Sequence, residues 1–432
     1  SRRSLWQDIT GSGQVPIAAA EPPPNPLAPP TAEPPKKALP CKARRVRVYP
    51  TKEQRDTLAV WFGATRWTYN QAVEWIKEQP EGSKFTIKDL RDHCVSVEKL
   101  KVDGRTDALG VPYDVRDDGA RDALKARASN LAKCKKRKAT GQPAHHFELK
   151  FRSRKASQES ISIHSKHWSH RRGAFADLFG PKWSRISASE PLPEELEYDS
   201  RLIRTRLGEY YLCIPAPLES RGESQAPDQT LESVVSLDPG VRTFMTAYSA
   251  DGEVVEWGVG DTERIHRLCS ALDKLQARWK AEGVLHRQRY RLKRAGLRIQ
   301  KKIRCIVDEI QRKLANWLCE NFHVVLIPSF ETQKMVTRGH RRLNSKTARA
   351  MCTWAHYRFR MRLHDKAREY PWCKVIDTTE EFTSKTCGSC GHIDNTLGGK
   401  KRYMCQSCGF DADRDHNGAR NILLRYLSLD RK

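Results

Sequence analysis

Two pairs of cysteines constrain this chain more than any other feature. "CGSC" and "CQSC" place Cys387, Cys390, Cys405 and Cys408 in a C-x2-C-x14-C-x2-C pattern. A two-residue gap lets two thiolates converge on one ion, and two such turns complete a tetrahedral zinc site with no open position, a structural site. His392 is a weaker ligand candidate, because four cysteines already suffice. The intervening "GHIDNTLGGKKRYM" reads as a polar hairpin whose Lys400, Lys401 and Arg402 could touch a phosphate backbone. Nine further cysteines (Cys41, Cys94, Cys134, Cys213, Cys269, Cys305, Cys319, Cys352, Cys373) are scattered singly. That usage suits a reducing compartment and disfavours disulfides between the pairs.

A knuckle of this size is a small part of a chain of 432 residues, for which two to four domains are expected. The formal charge of +26 points to a polyanion, and nucleic acid is the expected partner. No apolar run approaches the roughly 20 residues of a membrane span, and the N-terminus lacks the apolar core of a signal peptide. A soluble protein without a membrane partner is expected.

Residues 1–40, ending "AAAEPPPNPLAPPTAEPPKKALP", hold hardly a large hydrophobe and are expected to form a disordered tail. Order begins at "ARRVRVYPTKEQRDTLAVWFGATRWTYNQAV". Arg44 to Tyr49 alternate like a strand, Pro50 ends it, and Thr51 with Gln54 makes a capping box for a helix. Leu58, Phe62, Tyr69 and Val73 fall on one face of that helix. Trp61, Arg66, Trp67 and Asn70 lie elsewhere on it, able to stack on bases or to pack in a core. Helical sequence runs to about residue 140 and closes with five cations in six residues, Lys133 to Lys138. Such a run suits a solvated face or loop, phosphate binding or nuclear import. From "HFELKFRSRKASQESISIHS" to "YYLCIPAPL" the alternation is again strand-like.

Beyond a polar linker near residues 219–230 the pattern becomes α/β. "SVVSLDPGVRTFMTAYSADGEVVEWGVG" reads as a three-stranded meander with a turn at Ala250–Gly252. A long basic helix follows, in which Ile299, Ile303, Ile306, Ile310, Leu314 and Trp317 recur every three or four residues. Next come the strand that opens "VVLIPSFETQ", a helix from about Ser345 to Arg368, a short strand "KVID", the cysteine-rich insert and a last helix starting near Asp415. Three strands, a helix, a strand, a helix, a strand and a helix is the order of the ribonuclease H fold.

A nuclease that uses two divalent cations needs carboxylates from different elements to meet at one point, and Mg²⁺ suits such hard oxygen ligands. Asp238 in "SLDPG" ends the apolar run of the first strand. Asp415 in "DADRDHNGARN" begins the last helix, directly after the zinc knuckle. Either alone reads as a turn or a cap. Together they are candidate metal ligands.

"YPTKEQ", "LDPGVRTF", "FTSKTCGSCG" and "DRDHNGARNIL", in that order, resemble the transposon-encoded TnpB nucleases and, more closely, their eukaryotic and viral relatives called Fanzor. The similarity runs from about residue 44 to the C-terminus. It implies an RNA-guided DNA endonuclease that binds a structured guide RNA from its own locus, recognises a short motif beside the target and cuts double-stranded DNA with a single two-metal RuvC site. The implied fold is an α/β multidomain one. A β-barrel wedge domain (41–53 and 143–227) carries a helical recognition insert (54–142), and a RuvC, ribonuclease H-like nuclease domain (228–382 and 411–432) is interrupted by a four-cysteine zinc finger (383–410). Two Mg²⁺, one structural Zn²⁺, one protein copy per guide RNA and action in the nucleus follow from the same resemblance.

These relatives usually carry their second metal-binding residue as Glu in an "(I/V)-E-(D/N)-L" segment. Here "LIPSF" puts Pro328 in the glutamate position and Phe330 in the leucine position. Glu331 is the nearest replacement in sequence. Glu380 is another, because in the ribonuclease H order the last strand lies beside the fourth, roughly 5 Å away. Fanzor-like sequences resemble this chain in both features, a "P-x-F" in the earlier segment and a Glu three residues before "TSK". The expected site is Asp238, Glu380 and Asp415, with Glu381 on the surface. Guide RNA is expected on Arg66, Lys135, Lys136, Arg137, Arg289, Arg291, Lys293 and Arg294. A catalytically inactive RNA-guided DNA binder is the alternative. A zinc-finger transcription factor would leave the α/β domain around the knuckle unexplained.

Overall fold

The computed structural model describes residues 41–429 except 81, 144–146, 169–185, 223, 225, 227–232, 338–342, 380 and 399. The expected tail, residues 1–40, therefore lies outside the described residues, and so does Glu380.

The first strand, β1 (Cys41–Tyr49), buries Val46 and Val48 and stops before Pro50. Thr51 then caps α1 (Lys52–Glu78), accepting from Gln54 N while the Gln54 side chain accepts from Thr51 N. Leu58, Phe62, Tyr69 and Val73 are buried as the helical period requires. Trp61 is buried with them, so it packs in the core rather than on a base. A second long helix, α2 (Tyr113–Ala139), lies against α1. At their closest approach a Cβ on Gly119 would stand 2.5 Å from the Thr65 carbonyl oxygen, which is why glycine is found there. Asp117, Asp118 and Asp122 on α2 are buried, an arrangement sustained by pairing. Arg91 takes Asp117 bidentately at 2.8 Å on both arms, and Arg152 and Arg201 hold Asp122 at 2.7 and 2.6 Å.

Four more strands join β1 in an antiparallel sheet: β2 (Gln158–Ile163), β3 (Ser187–Ala188), β4 (Ser200–Thr205) and β5 (Tyr210–Pro217). Its order is β2-β4-β5-β1-β3. Among the described residues no pairing joins the edge strands β2 and β3, so this part is an open sheet wrapped on α1 and α2.

The second sheet contains β6 (Val234–Pro239), β7 (Met245–Ser249), β8 (Val254–Trp257), β9 (Val324–Pro328) and β10 (Lys374–Thr378). Its order is β10-β9-β6-β7-β8, with β6, β7 and β8 antiparallel and β9 and β10 parallel to β6. This is the 3-2-1-4-5 order expected from the element sequence. Two helices, α3 (Asp261–Lys280) and α4 (His286–Asn321), link β8 to β9. Ile303, Ile306, Val307, Leu314 and Leu318 of α4 cover one face of the sheet, packed on Val235, Leu237, Val325 and Ile327.

The helix expected from Ser345 to Arg368 is two helices, α5 (Ser345–Trp354) and α6 (His356–Ala367). Ala355 takes a left-handed φ of 52° between them. The break turns both Trp354 and His356 into the core, which an unbroken helix could not do with residues two apart. The opposite face of the sheet is covered by the last helix, α7 (Arg414–Leu429), whose Ile422 and Leu423 pack on Leu326. Between β10 and α7 stands the cysteine-rich insert with its hairpin β11 (Arg402–Met404) and β12 (Asp411–Asp413).

Candidate active site and metal centre

Side chains alternate along β6, and Ser236 and Asp238 both face α7. Ser236 Oγ donates to the Ala419 carbonyl at 2.7 Å, and a Cβ on Gly418 would stand 2.7 Å from Asp238 Oδ2. The carboxylate of Asp238 thus lies against α7 at Gly418, about one turn beyond Asp415. Helix capping, the ordinary use of an Asp at this point, falls to Asp413, whose Oδ1 accepts from Asp415 N at 2.9 Å.

The strand register defines a row across the sheet. Asp238 is opposite Thr246, and Thr246 is opposite Glu256. On the other side, the parallel pairing ends at Ser236–Leu326, and two residues further on β9 comes Pro328, itself opposite Thr378. Pro328 is therefore level with Asp238, where a carboxylate would face it. Glu331 is exposed and lies three residues beyond, after the strand has ended. Arg425 holds the two residues that flank position 380, reaching Thr379 Oγ1 at 3.0 Å and the Glu381 carbonyl at 3.0 Å. Glu381, 71% exposed, also pairs with Arg425 at 3.3 Å.

Burial, then the neighbouring Asp413, raises the pKa of Asp415, with Glu256 acting in the same direction and Arg414 and Arg242 opposing. Asp415 is thus placed where its negative charge is disfavoured, on the helix that the Asp238 carboxylate lies against. Glu256 had no sequence signal, because "GEVVEWG" reads as an ordinary strand. It pairs with His416, the residue after Asp415, at 3.5 Å.

The four cysteines of the insert meet. Their Sγ atoms all lie within 4.8 Å of one another, with Cys387–Cys408 and Cys390–Cys405 each at 3.7 Å. Thiolates 2.3 Å from a tetrahedral zinc would be about 3.8 Å apart, so the cluster fits a zinc finger. His392 is not part of it. Two asparagines of α7 bind the knuckle to the helix. Asn417 accepts from Gly388 N at 2.9 Å and donates to Thr386 O at 2.8 Å, and Asn421 donates to Thr383 O and Thr386 O at 2.8 and 2.6 Å. Both lie on the helix that positions Asp415.

The cations expected to meet RNA are spread over several surfaces. Arg66 forms an ion pair with Glu159, which Arg204 shares. Lys136 and Arg137 sit in the last turn of α2, with Lys135 just before it, a helix end rather than a loop, where cations complement the helix dipole. Arg289, Arg291, Lys293 and Arg294 lie in the first turns of α4. Arg294 also lines an open cleft of about 610 Å³ with Arg298, Lys301, Lys302 and Arg47. Glu209 in the same cleft pairs with Lys301 at 2.6 Å and with Arg47 at 3.4 Å.

Comparison with known proteins bears on this arrangement. Residues 356–422 match the family described as "Cas12f1-like, TNB domain", a span that includes the four cysteines and Asp415. Residues 41–83 match the "Helix-turn-helix domain" of the OrfB IS605 type, although the structure there is one strand and one helix. The chain is 28% identical over 404 residues to the putative transposase A625R of Paramecium bursaria Chlorella virus 1, covering 90% of this chain and 88% of that one. It is 26% identical over 400 residues to the TnpB-like protein L79 of Acanthamoeba polyphaga mimivirus, covering 88% and 72%. A putative RNA-guided DNA endonuclease of Streptomyces pristinaespiralis is 26% identical over 397 residues, covering 90% of each. Among solved structures, a Cas12f1 complex with single-guide RNA and target DNA aligns with a TM-score of 0.47 at 14% identity, covering 86% of this chain and 83% of that one. With relatives that align over about nine-tenths of its length and two domain families matched in chain order, this chain is similar to TnpB-like proteins and transposases, a likeness that fits the TnpB and Fanzor family.

Proposed function

We propose that this protein is an RNA-guided, Mg²⁺-dependent DNA endonuclease that binds a structured guide RNA, recognises a short target-adjacent motif and cuts target DNA with one RuvC-type site. The observation that carries the reading is the contact of Asp238 with α7 at Gly418, about one helical turn beyond Asp415, on a sheet of 3-2-1-4-5 order. A relative at 26% identity bears the name putative RNA-guided DNA endonuclease.

In this reading Asp238, Glu380 and Asp415 hold two Mg²⁺ ions. Bound there, the ions would polarise the scissile phosphate and lower the pKa of the attacking water. The chain's own contribution is positioning: β6 aims Asp238, the capped start of α7 aims Asp415, and Asn417 and Asn421 hold that helix against the zinc knuckle. Glu380 supplies the third carboxylate, because two dications held by Asp238 and Asp415 alone would be under-neutralised. Its support is that Pro328 leaves β9 without a carboxylate level with Asp238, while Thr378 on the next strand continues the row. The domain boundaries given above, a wedge-type first sheet, one protein copy per guide RNA and action in the nucleus complete the proposal.

A guided binder that does not cut is the second reading, and Pro328 is the observation in its favour. Incubating the full chain and its copurified RNA with a target plasmid in Mg²⁺ separates the two. Cleavage that Asp238→Ala abolishes supports the nuclease. Guided binding with no cut in Mg²⁺ or Mn²⁺ supports the binder.

A further inference from the structure

Phe382 stands between β10 and the zinc knuckle with a backbone φ of 63°, and its side chain is 59% exposed. Both facts oppose ordinary folding preferences. A bulky residue in the left-handed region is strained. A phenyl ring left in water forgoes its burial energy, and no hydrophobic cluster of the described residues includes it. Glycine would relieve the strain and remove the exposed ring at once.

The backbone around it is pinned on both sides. Arg425 holds the Glu381 carbonyl at 3.0 Å, and Asn421 holds the Thr383 carbonyl at 2.8 Å. Phe382 O accepts from Lys385 N and Thr386 N at 2.9 and 3.0 Å and from Thr386 Oγ1 at 2.9 Å. The segment is thus fixed along α7 with the ring turned outward. Asn421 is six residues beyond Asp415 on α7, about 9 Å along the axis. That is about three stacked nucleotides from the catalytic turn, at 3.4 Å per nucleotide.

We propose that Phe382 is a stacking platform for an unpaired base of the DNA strand being cut. The inference rests on the nuclease reading of Asp238 and Asp415. An aromatic face accepts any base, so the contact positions the strand without reading its sequence. A chain of net charge +26, with Lys385 three residues away, favours a polyanion over an apolar peptide as the occupant.

The test uses the full chain with its copurified RNA, Ca²⁺ in place of Mg²⁺, and a short single-stranded DNA carrying 2-aminopurine, whose fluorescence is quenched by stacking. Wild type should quench the probe. Phe382→Ala and Phe382→Leu should lose the quenching and bind the strand about 5- to 100-fold more weakly, whereas Phe382→Trp should retain both. Phe382→Gly should raise the Tm yet lose quenching and slow target cleavage, a combination that a merely structural phenylalanine would not give. Equal quenching and cleavage by Phe382→Ala would overturn the platform while leaving the nuclease standing, and so would a lowered Tm for Phe382→Gly. Wild-type protein that neither binds nor cuts guided DNA would remove the nuclease reading and the platform with it.

Discussion

His356 shows how a single buried residue ties the fold to pH. It is buried between Phe244, stacked with ring centroids 5.1 Å apart, and Phe330, edge-on at 4.9 Å. Burial pushes its pKa down to about 4, against a weaker opposite pull from the Gly240 backbone. The unfolded state therefore takes up a proton before the folded state does as pH falls. Stability is complete above about pH 6.5 and should decline toward pH 4 by about 3 kcal/mol from this residue. Chemical denaturation across that range should show the decline, and His356→Phe should flatten it; an unchanged pH profile in the variant would assign the loss to other groups. Nothing in "TWAHYRF" announces this histidine, because burial of one turn depends on the helix break at Ala355. Asp238 and Asp415 were legible for the converse reason. Each stands at the end of an element whose type the local pattern already declares, and topology then brings the two ends together.

At the scale of elements, the four-cysteine knuckle is tied to α7, the helix that begins with Asp415, through Asn417 and Asn421. Cys405→Ser should release the metal and loosen the hold of Asn417 and Asn421 on residues 383–388, displacing Asp415. DNA cleavage should fall although no proposed Mg²⁺ ligand has changed, with zinc content measured on the same preparation. Full zinc content together with full cleavage would contradict the four-cysteine assignment. The spacing of the cysteines made the knuckle readable, since two-residue gaps have few other uses. The order of the second sheet was readable because three of its strands form a meander and the other two are short runs set between clear helical periods. The first sheet was harder, and strand-like alternation predicted strands there without saying whether they close. The buried aspartates of α2 resisted sequence reading, because apart from Arg121, which pairs with Asp117 one turn away, their partners Arg91, Arg152 and Arg201 come from outside that helix.

Across the whole molecule, the formal charge of +26 makes nucleic-acid affinity a question of counterion release. Neutralising Lys135, Lys136, Arg137 and Lys138 should weaken RNA binding and flatten the slope of log affinity against log salt by about 0.7–0.9 for each phosphate no longer neutralised. An unchanged slope would return that helix end to the solvent. Composition made a polyanion partner legible, but it could not say which cations engage it. Arg66 is held by Glu159, and Glu209 pairs with Lys301 and Arg47, pairings that only the folded chain creates. The central claim is that the chain cuts DNA with a carboxylate set in which Glu380 replaces the one missing at Pro328. Its most direct test is guided plasmid cleavage in Mg²⁺ by wild type, Glu380→Gln and Glu331→Gln at equal RNA loading. The account predicts that Glu380→Gln abolishes cleavage while guided binding persists, and that Glu331→Gln cuts nearly as well as wild type. Loss of cleavage in Glu331→Gln with activity retained in Glu380→Gln would contradict it.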